Sequence, residues 1–240
     1  MKTLGVIGGL GPMATAYFLE QLVKMTDAPC DQQHIESIIY HMPTIHDRTA
    51  YILNHENPNP LPELLEVIKK CEKQGCEVIA IPCVTAQYFY DDITQAVKGN
   101  VIHIIRETLA YLKKNGCRRM GIMATAGTVK SGLFQKEAKA YGIDVIVPDE
   151  KHQNITMEII YDEVKANFPV DFDKFRSVTS HLHNKGAEIV VLGCTELSIA
   201  KKEGYLEPGL LDVVDVLAAS SILSCGAKLK KEYQQLITHE

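Results

Sequence analysis

The chain has 240 residues, with 25 Lys+Arg against 30 Asp+Glu and a formal net charge of −5. That slightly acidic balance lacks the basic surplus that nucleic-acid binders use to release counterions. Hydrophobic residues at 46% and charged residues at 23% are ordinary for a folded domain and argue against disorder. No run reaches the ~20 apolar residues of a membrane helix.

From the N-terminus, LGVI (4–7) predicts a buried strand that runs into the turn GGLGP (8–12). Lys2 and the A-x-A tripeptide at 14–16 give this stretch the outline of a secretory leader. Three glycines and Pro12 break the apolar run that a leader requires, so export is not expected. A helix is expected over 13–26, a strand at ESIIYHM (36–42), and a surface loop at NHENPNPLP (54–62), which holds three prolines. A helix over 62–75 leads to the strand EVIAI (77–81), then a helix over 86–97, the strand VIHI (101–104) and a helix over 105–115. Further on come the strands RMGIMA (119–124), DVIVP (144–148) and EIVVLG (188–193). Helices are expected over 131–141, 151–167, 172–185 and 215–236. Strands alternating with helices imply βαβ units and parallel sheets covered on both faces, the α/β class.

Two motifs recur in the same order at a nearly constant offset. LGVIGGLG (4–11) resembles MGIMATAG (120–127), and VIAIPCVTA (78–86) resembles IVVLGCTEL (189–197). The repeat predicts two similar α/β halves, each a parallel sheet flanked by helices. The expected division is residues 1–98 plus 210–240 for the first domain and 99–209 for the second.

Ligands of parallel α/β sheets gather at the carboxyl ends of strands. The turns GGLGP, PCVTAQ (82–87), ATAGT (124–128) and GCTEL (193–197) all belong there. The seven cysteines are Cys30, Cys71, Cys76, Cys83, Cys117, Cys194 and Cys225. An odd count without a CxxC spacing argues for reduced thiols, a cytoplasmic location and no zinc ribbon. The nine histidines are scattered, and His181 and His183, two apart, point in different directions on a helix. No metal site is expected. Cys83 and Cys194 differ from the other five, which read as packing residues. Each ends a strand and precedes a helix, where unpaired N–H groups favour thiolate, and the repeat predicts that they face each other.

Two opposed thiols suit the inversion of a carbon-bound stereocentre, one removing a proton and the other delivering one from the opposite face. The α-carbon of an amino acid is a weak acid, so developing charge needs donors. Thr85, Thr125, Thr128 and Thr195 can supply them, although helix capping uses the same positions.

The motifs GVIGGLGPMAT (5–15), DRT (47–49), IPCVTAQY (81–88), GIMATAGT (121–128), SG (131–132) and GCTEL together resemble the aspartate/glutamate racemase family, on its aspartate racemase side. The resemblance implies two pseudo-symmetric α/β domains with the active site in the cleft between them, and an isomerase free of pyridoxal phosphate and other cofactors, acting on a small amino acid, commonly as a homodimer. Cys83 and Cys194 would be its acid and base. Arg48, in the DRT motif, and Lys165, in IYDEVKAN (160–167), would hold the substrate's side-chain carboxylate. The matching turns add Gly11, Thr85, Thr125, Gly127, Thr128, Thr195 and Glu196 as substrate-binding candidates.

The family pattern PCNTA is altered here, with Val84 in place of asparagine and Gln87 after Ala86. Valine removes a polar contact beside the first thiol. Three other readings compete. GLGPMA (9–14) fits a dinucleotide fingerprint, but no acidic residue ends the second strand. A maleate isomerase-like enzyme would also use two strand-end cysteines, one as nucleophile. A non-catalytic relative would only bind a dicarboxylate.

Overall fold

In a computed structural model, which describes residues 1–205 and 207–238, two four-stranded parallel sheets frame the protein. The first contains β1 (Leu4–Gly8), β2 (Ser37–His41), β3 (Val78–Ala80) and β4 (Asn100–Val101), in the order β2-β1-β3-β4. The second contains β5 (Arg119–Met123), β6 (Asp144–Ile146), β7 (Ile189–Leu192) and β8 (Leu210–Asp212), in the order β6-β5-β7-β8. Both sheets place their first strand second, between the second and third. The short repeats in the sequence are therefore two copies of one topology, with β1 matching β5 and β3 matching β7. All five residues of β1 are buried, which is why it reads as a continuous apolar run rather than an alternating one.

The helices are α1 (Pro12–Met25), α2 (Arg48–Leu53), α3 (Leu61–Lys73), α4 (Tyr90–Ala96), α5 (Ile104–Lys114), α6 (Ala126–Ser131), α7 (Leu133–Ala138), α8 (Glu150–Glu158), α9 (Phe172–Asn184), α10 (Ser198–Lys202) and α11 (Val213–Ser224). In α3 the buried Leu64, Val67, Ile68 and Cys71 follow helical spacing, leaving its lysines and glutamates outside. α11 is buried nearly all round because it packs against both α1 and α5. No helix among the described residues is long and apolar enough to cross a membrane.

Four expectations change. The helix expected over 215–236 stops at Ser224, because Gly226 takes φ +82° and turns the chain. The tail beyond it forms an antiparallel bridge from Leu229 to Thr26. The helix expected over 131–141 begins only after Gly132, whose φ of +67° separates α6 from α7, and gives way to a 3₁₀ turn over Lys139–Tyr141. The one expected over 151–167 is α8 followed by a π-helical turn, Ile159–Val164. Finally, β8 extends the second sheet through Leu210–Asp212, where no strand was expected. It lies just past position 210, at which the sequence reading returned the chain to the first domain.

Candidate active site

The turns after β1, β3, β5 and β7 meet in the cleft between the sheets. Cys83 follows β3 and Cys194 follows β7, and both line one small internal cavity with Arg48, Lys165, Thr85, Thr125, Thr195 and Glu196. The arrangement therefore brings together eight of the residues singled out in the sequence. Cys30 is exposed, and Cys71, Cys76, Cys117 and Cys225 are buried elsewhere. Burial pushes the Cys71 thiol up to about 12 and the Cys117 and Cys225 thiols up to about 11, as expected of packing residues.

The two strand-end thiols have opposite neighbours. Cys194 donates to Glu196 Oε2 at 2.9 Å. Burial first, and then the charge of and hydrogen bond to Glu196, raise the Cys194 thiol well above the usual range, against a smaller pull from Lys165. Cys194 therefore carries its proton at neutral pH. The Arg48 guanidinium lies beside Cys83. Burial disfavours the Arg48 charge, but the neighbouring Cys83, Asp47 and Glu196 more than offset this and raise it.

Arg48 is 6% exposed, and carbonyls hold its fork. Nη1 donates to Ile45 and His46, Nη2 donates to Leu10, and Nε has no partner. Most of the two-pronged grip anticipated for a carboxylate is thus already used to fix the side chain, with Nε left over.

Three threonine hydroxyls close the cleft on one side. Thr85 Oγ1 lies 3.0 Å from Thr125 Oγ1 and 3.1 Å from Thr128 Oγ1, joining the two halves. Thr125 also caps α6, accepting from the Thr128 N–H at 3.3 Å, so capping and cavity lining coexist in one residue. Thr195 Oγ1 donates to the Pro82 carbonyl across the same seam at 3.2 Å. Gly127 is pressed against Thr49 of α2, where an added Cβ would lie 3.1 Å from the Thr49 Cα. It serves the contact of α6 with α2 and is not part of the cavity wall.

Gly11 faces Glu196, and a Cβ there would come within 2.5 Å of Oε1. Glu196 is 4% exposed, and its Oε1 has no partner. It lines both the inner cavity and an outer recess of about 460 Å³ that opens beside Gly11, Pro12 and Met13. Glu196 therefore connects Cys194 to the mouth of the cleft.

The sequence reading missed Asp47 and Tyr161. Asp47 caps α2 through the Ala50 N–H at 2.7 Å and accepts from the Tyr161 hydroxyl at 3.3 Å. Lys165 Nζ lies 3.7 Å from Asp47 Oδ2 and 4.3 Å from the centre of the Tyr161 ring. Tyr161 is four residues before Lys165 on a helical stretch, so their pairing was readable. The partner 114 residues away was not. The π turn sets both side chains toward the first half of the molecule, a use often made of such turns. Val84 is 2% exposed, joins the apolar core and forms an apolar wall beside Cys83, and Gln87 is buried close by in the chain.

The inner cavity holds about 10 Å³, the room of a single water and far too little for an amino acid. The wider recess beside it shares Asp47, Arg48, Lys165 and Glu196 with the inner cavity.

Comparison with known proteins adds the following. A family model described as Asp/Glu/hydantoin racemase matches residues 7–220. The broad specificity amino-acid racemase RacX of Bacillus subtilis is 25% identical over 228 residues, 91% of this chain and 96% of that protein. The structure of Picrophilus torridus aspartate racemase is similar with a TM-score of 0.83 and 32% identity, covering 98% of both chains. Glutamate racemase from Francisella tularensis, solved with D-glutamate, has a TM-score of 0.64 over 93% of this chain and 80% of its own. At 18% identity that likeness is one of fold.

Proposed function

The chain belongs to the Asp/Glu/hydantoin racemase family, and on that premise we propose that it inverts the α-carbon of aspartate or glutamate with Cys83 and Cys194 as opposed base and acid. The observation that carries this reading is the unequal pair of thiols lining one cavity, with a guanidinium at Cys83 and a carboxylate at Cys194.

In the form with Cys194 protonated, the Cys83 thiolate takes the α-proton from one face and becomes a thiol. The electron pair left on the α-carbon spreads into the substrate carboxylate, where Thr85 and Thr125, which line the cavity, offer hydroxyl donors. Cys194 then delivers its proton to the opposite face and is left as thiolate. The protein ends in the form that acts on the product enantiomer. Returning to the first form requires a proton lost from Cys83 and one gained at Cys194, and Glu196 is placed to pass the latter in from the recess. Arg48 Nε and Lys165 hold the side-chain carboxylate, which displaces Asp47 from Lys165. No cofactor has a part in this scheme, and a homodimer belongs to the same reading, to be checked by sedimentation equilibrium.

The test is incubation of dialysed protein, with chelator present, with each enantiomer of aspartate and glutamate, followed by chiral chromatography. Formation of the opposite enantiomer of either acid supports the reading. Absence of turnover on both contradicts it.

Glu196 has its own test. Replacing it by glutamine removes a charge-assisted hydrogen bond, which contributes about 1.5–3 kcal/mol, so kcat/KM should fall roughly ten- to a hundredfold. Free enantiomers are equal in energy, so the fall must be equal in both directions. Glu196 raises the Cys194 thiol, and a proton donor fails once it has lost its proton. The alkaline limb of the rate profile should therefore move to lower pH in Glu196→Gln. A profile and rate like those of the unaltered protein would remove Glu196 from the mechanism.

A further inference from the structure

We propose that Asp149, His152 and His181 form a binding site for a divalent transition-metal ion on the second half of the molecule, apart from the cavity that holds the thiols. None of the three lines that cavity, and the reaction proposed above uses none of them.

The three side chains come from two packed helices. Asp149 is the N-cap of α8, His152 lies in its first turn, and His181 is on α9. Asp149 Oδ1 lies 2.6 Å from His152 Nδ1, and Asp149 Oδ2 lies 3.7 Å from His181 Nε2. The candidate ligand atoms of all three residues fall within 4.8 Å of one another. An ion with tetrahedral bonds of about 2.0–2.1 Å holds neighbouring ligand atoms about 3.3 Å apart. The two observed separations, one to each carboxylate oxygen, lie on either side of that value, and turning the carboxylate and both imidazoles would bring one oxygen and two nitrogens onto one face of such a tetrahedron.

The lone pairs also point the right way. His181 Nε2 accepts a hydrogen bond from the Asp149 N–H at 3.3 Å, so it carries no proton and is directed at the Asp149 end of the cluster. The imidazoles of His152 and His181 stack with centres 3.8 Å apart and planes 15° from parallel. Because an ion lies in the plane of each imidazole it binds, coordination would unstack the rings as both turn to a common ion, which replaces the proton shared by His152 and Asp149. The Asp149 side chain is 48% exposed, leaving a solvent side from which water would complete the shell. Two imidazoles and one carboxylate favour zinc, cobalt, nickel or copper over magnesium or calcium. The sequence could not show this grouping, because the third ligand lies about thirty positions from the other two and its neighbour His183 turns away to the Ala187 carbonyl.

The probe is cobalt(II), titrated into the full chain and followed by its visible absorption, with equilibrium dialysis for stoichiometry. One equivalent should bind without a thiolate-to-cobalt charge-transfer band. His152→Ala and His181→Ala should each weaken binding at least about tenfold. Asp149→Asn, which keeps the helix cap, should weaken it without altering the fold. Zinc should raise the melting temperature of the unaltered protein and leave that of the histidine variants unchanged. Failure to bind, equal binding by all variants, or a thiolate band placing the ion on cysteine would each overturn the proposal.

Discussion

Cys83→Ala and Cys194→Ala should each abolish racemisation in both directions. Positioned acid–base groups contribute roughly 10²- to 10⁴-fold apiece. Inversion is affected more than that, because a single remaining thiol can return a proton only to the face from which it came. The expected residue of activity is therefore exchange without inversion: Cys83→Ala should still wash solvent hydrogen slowly into one enantiomer, and Cys194→Ala into the other. Cys71→Ala and Cys117→Ala supply the control. Their thiols are buried away from the cleft, and rates should stay within about twofold. Because Cys83 and Cys194 are small and line a cavity, alanine at either position should leave the fold intact, which circular dichroism checks. Chiral chromatography of the products reads the rest. Inversion at the normal rate by either variant contradicts the opposed-thiol reading.

Arg48→Ala should have the next largest effect. The side chain holds the Ile45, His46 and Leu10 carbonyls, places a cation against Cys83 and leaves Nε without a partner. Loss of a charge-assisted contact costs about 1.5–3 kcal/mol, so kcat/KM for aspartate should fall roughly ten- to a hundredfold from the ligand contact alone. Loss of the cation at Cys83 should lower kcat further. Lysine keeps the charge but cannot reach three carbonyls from one nitrogen, so Arg48→Lys should recover only part of the rate. A dicarboxylic substrate should lose more than alanine does, wherever alanine turns over. An unchanged kcat/KM would make Arg48 a structural clamp without a part in binding.

Particular residues show how far the sequence alone could be read. The strands β1, β3, β5 and β7 were legible because strands buried on both faces leave unbroken apolar runs, and Cys83 and Cys194 stood out because each ends such a run. β8 was not, since its three residues Leu210–Asp212 follow Pro208 and Gly209 and are too short to show a period. The helix expected through 236 shows the opposite failure. Apolar residues such as Leu229 and Leu236 continue past Cys225, but Gly226 has already turned the chain, and those side chains pack from a loop instead. Lys165 could be found from its motif. Its bond to Asp47 could not, because only the closure of the two halves brings residues 47 and 165 together. Glu196 was read as a substrate ligand, and its hydrogen bond from Cys194 depends on the tight turn that follows β7.

The account rests on two thiols acting from opposite faces, and racemisation in D₂O tests that most directly. Starting from either enantiomer of aspartate, or of glutamate if that is the acid turned over, product and remaining substrate are separated early in the reaction and their α-hydrogen is measured by mass spectrometry. The proton removed by one thiol stays there while the other thiol delivers deuterium. The account predicts product carrying α-deuterium and substrate still carrying protium, in both directions. Product that retains the substrate's own protium would mean a single base working on both faces, and would contradict it.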